Sequence, residues 1–222
     1  MGRLFLVRHG QASFGTDDYD RLSELGARQC RRLGEHWRAR GLRFEATFTG
    51  TLRRHRQSFD ALAEGIGGLG EPVALPGMNE YDAEAIVRAV HPQPLPRPDT
   101  PERVRQHFRL LKDGLMQWMA GRSQPVGMPS WREFAGGVAD ALDRVRTQHS
   151  GDVLIVSSGG PISAAVAMVL EAPPAAMVEL NLRMRNSAVT EFAYTPRRHA
   201  LVTFNTLPHL EAEGLADWVT HS

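Results

Sequence analysis

Two short unbroken apolar runs, "LFLV" at 4–7 and "VLIV" at 153–156, are the clearest strand signals in the chain. Runs of this length without a polar interruption suit strands buried on both faces of a parallel sheet. Longer stretches follow a helical period instead. In "SELGARQCRRLGEHWRARG" residues Cys30, Leu33 and Trp37 share one face, Ser23 can cap the first turn and Gly41 can end the helix. "FEATFTG" then predicts a short strand, and "TLRRHRQSFDALAEGIG" a second helix with Leu52, Phe59, Leu62 and Ile66 at approximately helical spacing. A β-α-β-α opening of this kind predicts a layered α/β fold.

The middle of the chain breaks the pattern. "HPQPLPRPDTP" holds five prolines in eleven residues, so it is expected to be an extended connection. Beyond it Val104, Phe108, Leu111, Leu115 and Trp118 mark an amphipathic helix. Another opens at "SWRE", a capping box from Ser130 to Glu133, and continues through Phe134, Val138, Leu142 and Val145. Residues 85–129 thus read as a helical insertion, or lid, on a single domain spanning 1–222. The α/β pattern resumes with "DVLIVSSGGPISAAVAMVL", a strand, a glycine turn and a helix with Pro161 near its start. "SAVTEFAY" and "HALVTFN" alternate as a closing pair of strands, and the remainder reads as a tail. No internal repeat is present.

Composition narrows the function classes. The chain has 222 residues, 42% hydrophobic and 23% charged, with 26 basic against 25 acidic side chains. A net charge of +1 argues against nucleic-acid binding through bulk charge, so an anion site has to be local. Lys112 is the single lysine; arginine, which supplies the remaining positive charge, offers a planar fork suited to phosphate or carboxylate. Cys30 is the single cysteine, which excludes an intramolecular disulfide, and its helical spacing predicts a buried structural thiol. No apolar run approaches the roughly 20 residues of a membrane span. Arg8 and His9 cut the first apolar stretch too short for a secretory signal, so a cytoplasmic location is expected.

The candidate chemistry lies where predicted strands end. Arg8-His9-Gly10 follows the first run and Ser157-Ser158-Gly159-Gly160 the second; the carboxyl ends of strands are where open α/β sheets place ligands. If the strands are neighbours, the two turns converge. Small residues at a helix start present free N–H groups to an anion, and Arg53, near another helix start, can add a bidentate contact. "VSSGGP" does not fit the G-x-S-x-G pattern of serine hydrolases, because no glycine stands two before the serine. No His, Cys or carboxylate cluster has metal-ligand spacing.

Five ordered segments, "RHG", "SELGARQ", "TLRRHRQS", "MNEYDAEA" and "VSSGG", resemble the histidine phosphatase superfamily, which includes phosphoglycerate mutases. The resemblance covers nearly the whole chain. It implies a three-layer α/β/α sandwich with a mostly parallel central sheet and a helical insertion over the site. It also implies that His9 is the nucleophile, that Arg8 and Arg53 hold the phosphoryl oxygens, and that Glu80 is the acid and base, with Asp82 and Glu84 close enough to take its part. Ser13, Ser158 and Gly159 would complete the phosphate contacts. No cofactor or metal is implied; the partner is a small phosphorylated substrate or phosphate, and a homo-oligomer is left open.

There are two departures. The family normally has a second histidine where Ser158 stands, with His55 and His91 as candidates to substitute. It also often has threonine and asparagine soon after RHG, where this chain has Ala12 and Gly15, leaving Ser13 or Thr16 as polar replacements. These thinned contacts favour a phosphatase acting on a small phosphomonoester through a phosphohistidine over a mutase. The alternative is a phosphoryl-ligand binding or regulatory protein whose catalysis has lapsed. Substrate choice would fall to the insertion and to whichever of Arg88, Arg97, Arg103 and Arg105 face inward.

Overall fold

A computed structural model describes residues 1–13, 20–96, 99–211 and 213–221; Gly15, Thr16 and Arg97 lie outside the described residues. The two apolar runs become neighbouring parallel strands, β1 (Gly2–Arg8) and β4 (Asp152–Ser157), in a sheet of order β3-β2-β4-β1-β5-β6. β2 (Ala46–Thr49) and β3 (Val73–Ala74) continue it in parallel. β5 (Val189–Thr195) and β6 (Arg198–Thr206) close it antiparallel. The sheet is therefore mostly parallel, and the unbroken apolar runs follow from its burial on both faces.

Alternate residues of each run serve opposite layers. Leu4, Leu6, Val153 and Ile155 join the core under α3 (Ala83–Val90), α4 (Pro101–Met119), α5 (Trp131–Gln148), α6 (Gly159–Val169) and α7 (Pro174–Leu182). Phe5, Val7, Leu154 and Val156 join the core under α1 (Glu24–Ala39) and α2 (Arg53–Ile66), with Cys30, Leu33, Trp37, Phe59 and Leu62. This is the expected α/β/α sandwich. The predicted caps form: Ser23 accepts from the Gly26 amide, and Ser130 and Glu133 make the reciprocal capping box. Cys30 is fully buried, and burial pushes its thiol up to about 11, which suits a packing role.

Some features of the pattern read differently in three dimensions. α4 has the predicted stripe, but only Leu111, Leu115 and Trp118 are buried, whereas Val104 and Phe108 remain exposed. The helix meets α3, α5 and α7, yet its first two turns keep these side chains in solvent. Arg88, Arg103 and Arg105 are exposed; Arg103 pairs with Asp99 and Arg105 with Glu102. The described residues of the expected tail are docked: Leu207 and Leu210 pack with Ala188, Trp218 and Val219, and Gln29 donates to Trp218 O and Thr220 Oγ1. No helix among the described residues is long and apolar enough to cross a membrane.

Connectivity fixes where a site can form. After β1 the chain moves past β4 to β2, and after β4 it moves past β1 to β5. The carboxyl ends of β1 and β4 therefore diverge from one crevice, the topological switch point at which such sheets bind ligands.

Candidate active site

Arg8 and Ser157 are register partners, and the His9 amide donates to Ser157 O at 2.8 Å. His9 and Ser158 consequently leave the sheet side by side. His9 is only 2% exposed, and its Nδ1 lies 2.7 Å from Gly10 O. A carbonyl can only accept, so Nδ1 carries the proton and Nε2 keeps its lone pair. Burial, then the positive fields of Arg8, Arg54 and His55, hold the imidazole well below its usual range. It stays neutral in mildly acidic solution.

The structure turns Arg53 outward and its neighbour Arg54 inward. Arg53 is exposed, in line with Arg56, Asp60 and Glu64 on the outer stripe of α2, and its amide donates to Asp20. Arg54, one position or about 100° further round the helix, is buried. It donates from Nη1 to Asp20 Oδ1 at 2.8 Å and contributes to the fields at both His9 and Glu80. Arg8 also acts on both groups, while its guanidinium donates to the carbonyls of Met184 and His221. The docked C-terminal segment thus anchors the Arg8 cation.

Glu80 arrives from the turn after the 3-10 segment Pro76–Met78 and meets the start of α6. The Gly160 amide donates to Oε1 at 3.1 Å and Oε2 at 3.2 Å. Burial pushes the carboxyl up, against the pull of the Gly160 N–H, Arg54 and Arg8. Gly160 is required by this approach, since a Cβ there would lie 2.1 Å from Glu80 Oε1 and 2.7 Å from the Tyr81 ring. Gly159 opens the same helix turn. Asp82 caps α3 and is exposed, as is Glu84, whereas Glu80 is the one of the three that meets the start of α6. A cavity of about 330 Å³ opens beside it, lined also by Asn79, Tyr81, Met128 and Phe134.

The remaining expectations separate. His55 is fully buried, 5.9 Å from His9 between ring centroids, and bonded through Nε2 to Ser158 Oγ at 2.6 Å. His91 ends α3 with its Nδ1 on Gln93 O. Ser13 continues the chain past the Ala12–Leu22 bridge, its amide donating to Arg21 O. Sequence reasoning missed Arg54, Asp20 and Ser58, whose Oγ accepts from the Gly10 amide at 3.0 Å. Arg54 and Ser58 had a signal: they lie four apart on the inward side of α2. Asp20 had none, because it acts from a separate loop. Among the described residues no group of three or more His, Cys, Asp or Glu could hold a metal ion.

Buried histidines make stability depend on pH. Burial pushes His55 and His209 each down to about 3; His209 packs in the C-terminal segment with Nε2 2.9 Å from Ser187 Oγ. Unfolded, each titrates near 6.5. Their contribution is complete above that pH and is lost as pH falls toward about 3, because the unfolded chain takes up the protons first. Well below pH 6.5 each costs about 1.4 kcal/mol per pH unit, so the pair removes about 3 kcal/mol between pH 6.5 and pH 5, with raised-pKa Glu80 acting in the opposite sense. Urea unfolding at pH 7 and pH 5 tests this: the midpoint drops, and His209→Gln reduces the drop. Equal midpoints would contradict it.

A neutral histidine at a strand end, two arginines and a helix start in one crevice of a mostly parallel sheet define an α/β protein with a site shaped for an anion. The chain belongs to the histidine phosphatase superfamily (branch 1), whose sequence profile matches residues 4–207. The 2,3-bisphosphoglycerate-dependent phosphoglycerate mutase of Nitrobacter winogradskyi is 36% identical over 87 residues, 36% of this chain and 42% of the mutase. The match thus spans less than half of that relative. The "Putative phosphoserine phosphatase 2" of Hydrogenobacter thermophilus is 25% identical across 94% of this chain and 98% of its own length. A phosphoserine phosphatase mutant from Entamoeba histolytica, solved with phosphoserine, superposes with a TM-score of 0.63 at 19% identity, covering 95% of this chain and 100% of that one. At that identity the likeness speaks to the fold.

Proposed function

We propose that the protein is a metal-independent phosphatase of a small phosphomonoester that works through a phosphohistidine on His9. The observation that carries this reading is the state of His9: buried, neutral, fixed through Nδ1 and flanked by Arg8 and Arg54. Nε2 attacks phosphorus, and the bond to the ester oxygen breaks. Protonated Glu80 supplies the proton for the leaving oxygen, a role suited to a carboxyl raised by burial. Water then attacks the phosphohistidine and gives its proton to Glu80; the P–N bond electrons return to Nε2 and phosphate leaves. Arg8, Arg54, Ser158 and the Gly159 N–H bear the charge on the phosphoryl oxygens. Arg54 takes the part expected of Arg53.

The cavity beside Glu80 is the place for the leaving group, and Gly127, Met128 and Pro129 on its wall support a covering role for the end of the 85–129 insertion. Relatives whose names include phosphoserine and phosphoglycerate support a small phosphorylated metabolite as substrate class.

The test is chemical trapping. Protein mixed with a phosphomonoester and quenched in alkali is expected to carry acid-labile, base-stable phosphate on the peptide containing His9. Label on another residue, or none, overturns the mechanism. The pH dependence of single-turnover phosphorylation by an alkyl phosphomonoester gives a second check. The step needs Glu80 protonated and His9 neutral, so the rate falls as pH rises through the raised Glu80 pKa. On the acid side it falls only below the usual imidazole range. Glu80→Gln removes the alkaline limb; a limb that persists unchanged in the variant assigns it to another group.

A further inference from the structure

His55 is a buried imidazole that the mechanism above leaves unused. It comes from α2, Ser158 from the end of β4 and His9 from the end of β1, and the three meet within one crevice. Ser158 is fully buried, and although it stands at the N-cap of α6 its side chain caps no amide. Its hydroxyl instead meets His55 Nε2 at 2.6 Å. Resting on the phosphatase reading, we infer that His55 is a positioning residue that fixes the Ser158 hydroxyl so that its proton is donated to the phosphoryl group on His9.

Proton placement on His55 follows from the other ring nitrogen. Nδ1 is buried with no hydrogen-bond partner among the described residues. It faces Gly50 so closely that a Cβ there would lie 2.2 Å from Nδ1 and 2.7 Å from Cε1. A proton on Nδ1 would find no acceptor there, whereas a lone pair tolerates the nearby Gly50 Cα hydrogen. The proton therefore sits on Nε2 and is donated to Ser158 Oγ. With a lone pair so engaged, Ser158 has its own O–H left to give. His9 and Ser158 follow register partners on adjacent strands, some 5 Å apart, so the nearest new acceptor is a phosphoryl oxygen on His9. Burial keeps His55 neutral, with its value pushed down to about 3, and the donor is constant across the working pH. Two residues thus supply one oriented donor, and Gly50 makes the room for it.

The experiment compares wild type with His55→Ala, His55→Gln, Ser158→Ala and the His55→Ala/Ser158→Ala double variant. It measures kcat and KM with p-nitrophenyl phosphate, affinity for inorganic phosphate, and Tm. Each alanine variant is expected to lower kcat about 10²-fold, the scale of one preorganised donor, with KM changed far less. The double variant should fall no further than the weaker single. His55→Gln, which keeps an N–H donor on the side chain and fills the space, should regain at least tenfold over His55→Ala.

A His55→Ala variant that loses Tm but keeps kcat within threefold overturns the inference, as do single effects that multiply in the double variant. Absence of turnover in wild type would instead overturn the phosphatase reading. Phosphate affinity then decides the inference: a tenfold or greater weakening in both His55→Ala and Ser158→Ala, relieved in His55→Gln, supports it. Unchanged affinity overturns it.

Discussion

Alanine at position 9 is expected to lower kcat for a phosphomonoester by about 10⁴-fold or more while phosphate still binds. Removing a nucleophile from a preorganised site has costs on this scale, and among the described residues no second imidazole can inherit the role. His55 has Nε2 committed to Ser158 and Nδ1 closed off by Gly50. Arg54, Arg8 and the first turn of α6 remain in the variant, so affinity for inorganic phosphate should stay within about tenfold. Folding should survive as well: the change strands one carbonyl, Gly10 O, at a cost of about 1–3 kcal/mol. It also removes an imidazole whose burial penalises the charged form. His9→Ala should therefore lose less stability than wild type between pH 7 and pH 5. Steady-state assays, phosphate titration calorimetry and urea unfolding read the three expectations separately. Turnover within tenfold of wild type would show that the phosphoryl group does not pass through His9.

The second large effect separates two adjacent arginines. Arg54→Ala should reduce kcat/KM by about 10² to 10³-fold, since in the proposed mechanism its buried guanidinium binds the phosphoryl oxygens more strongly as charge spreads over them. Arg53→Ala should stay within about threefold, with stability within about 0.5 kcal/mol of wild type, as for a surface substitution. Arg54→Lys should recover only part of the loss, because an ammonium keeps the charge but not the fork. The Asp20 partner of Arg54 is 39% exposed, so water can take over its contacts and the loss reads mainly on catalysis. Kinetics of the three variants on one substrate suffice. Equal losses at 53 and 54 would mean that the exposed side chain also reaches the ligand.

The contrast between these residues marks where sequence reasoning stops. Buried strands and helix caps were legible because they depend on local period and composition, whereas the three-layer order came from the resemblance. The runs at 4–7 and 153–156 can sit only between two apolar layers, and Ser23 and Ser130 cap helices through bonds three residues away. His9 and Glu80 were singled out through the resemblance carried by ordered motifs, and the structure sets both within the fields of Arg8 and Arg54. The polar stripe of Arg53, Arg56, Asp60 and Glu64 was present in the sequence too, and it already turned Arg53 outward.

What required the tertiary structure was every contact between residues far apart in the chain. Register alone sets Ser158 beside His9, and α2 then brings His55 behind Ser158 across 103 positions. The same holds for Asp20 on Arg54, Glu80 on the Gly160 amide and the C-terminal carbonyls on Arg8. Periodicity reports which face of an element is buried, but the partner on that face depends on how elements from distant parts of the chain pack. By itself the sequence determined a layered α/β sheet with a histidine at a strand end. Packing decided what holds the inward arginine, what stands behind Ser158 and which second histidine joins the site, because those contacts are made by side chains meeting across elements rather than along them.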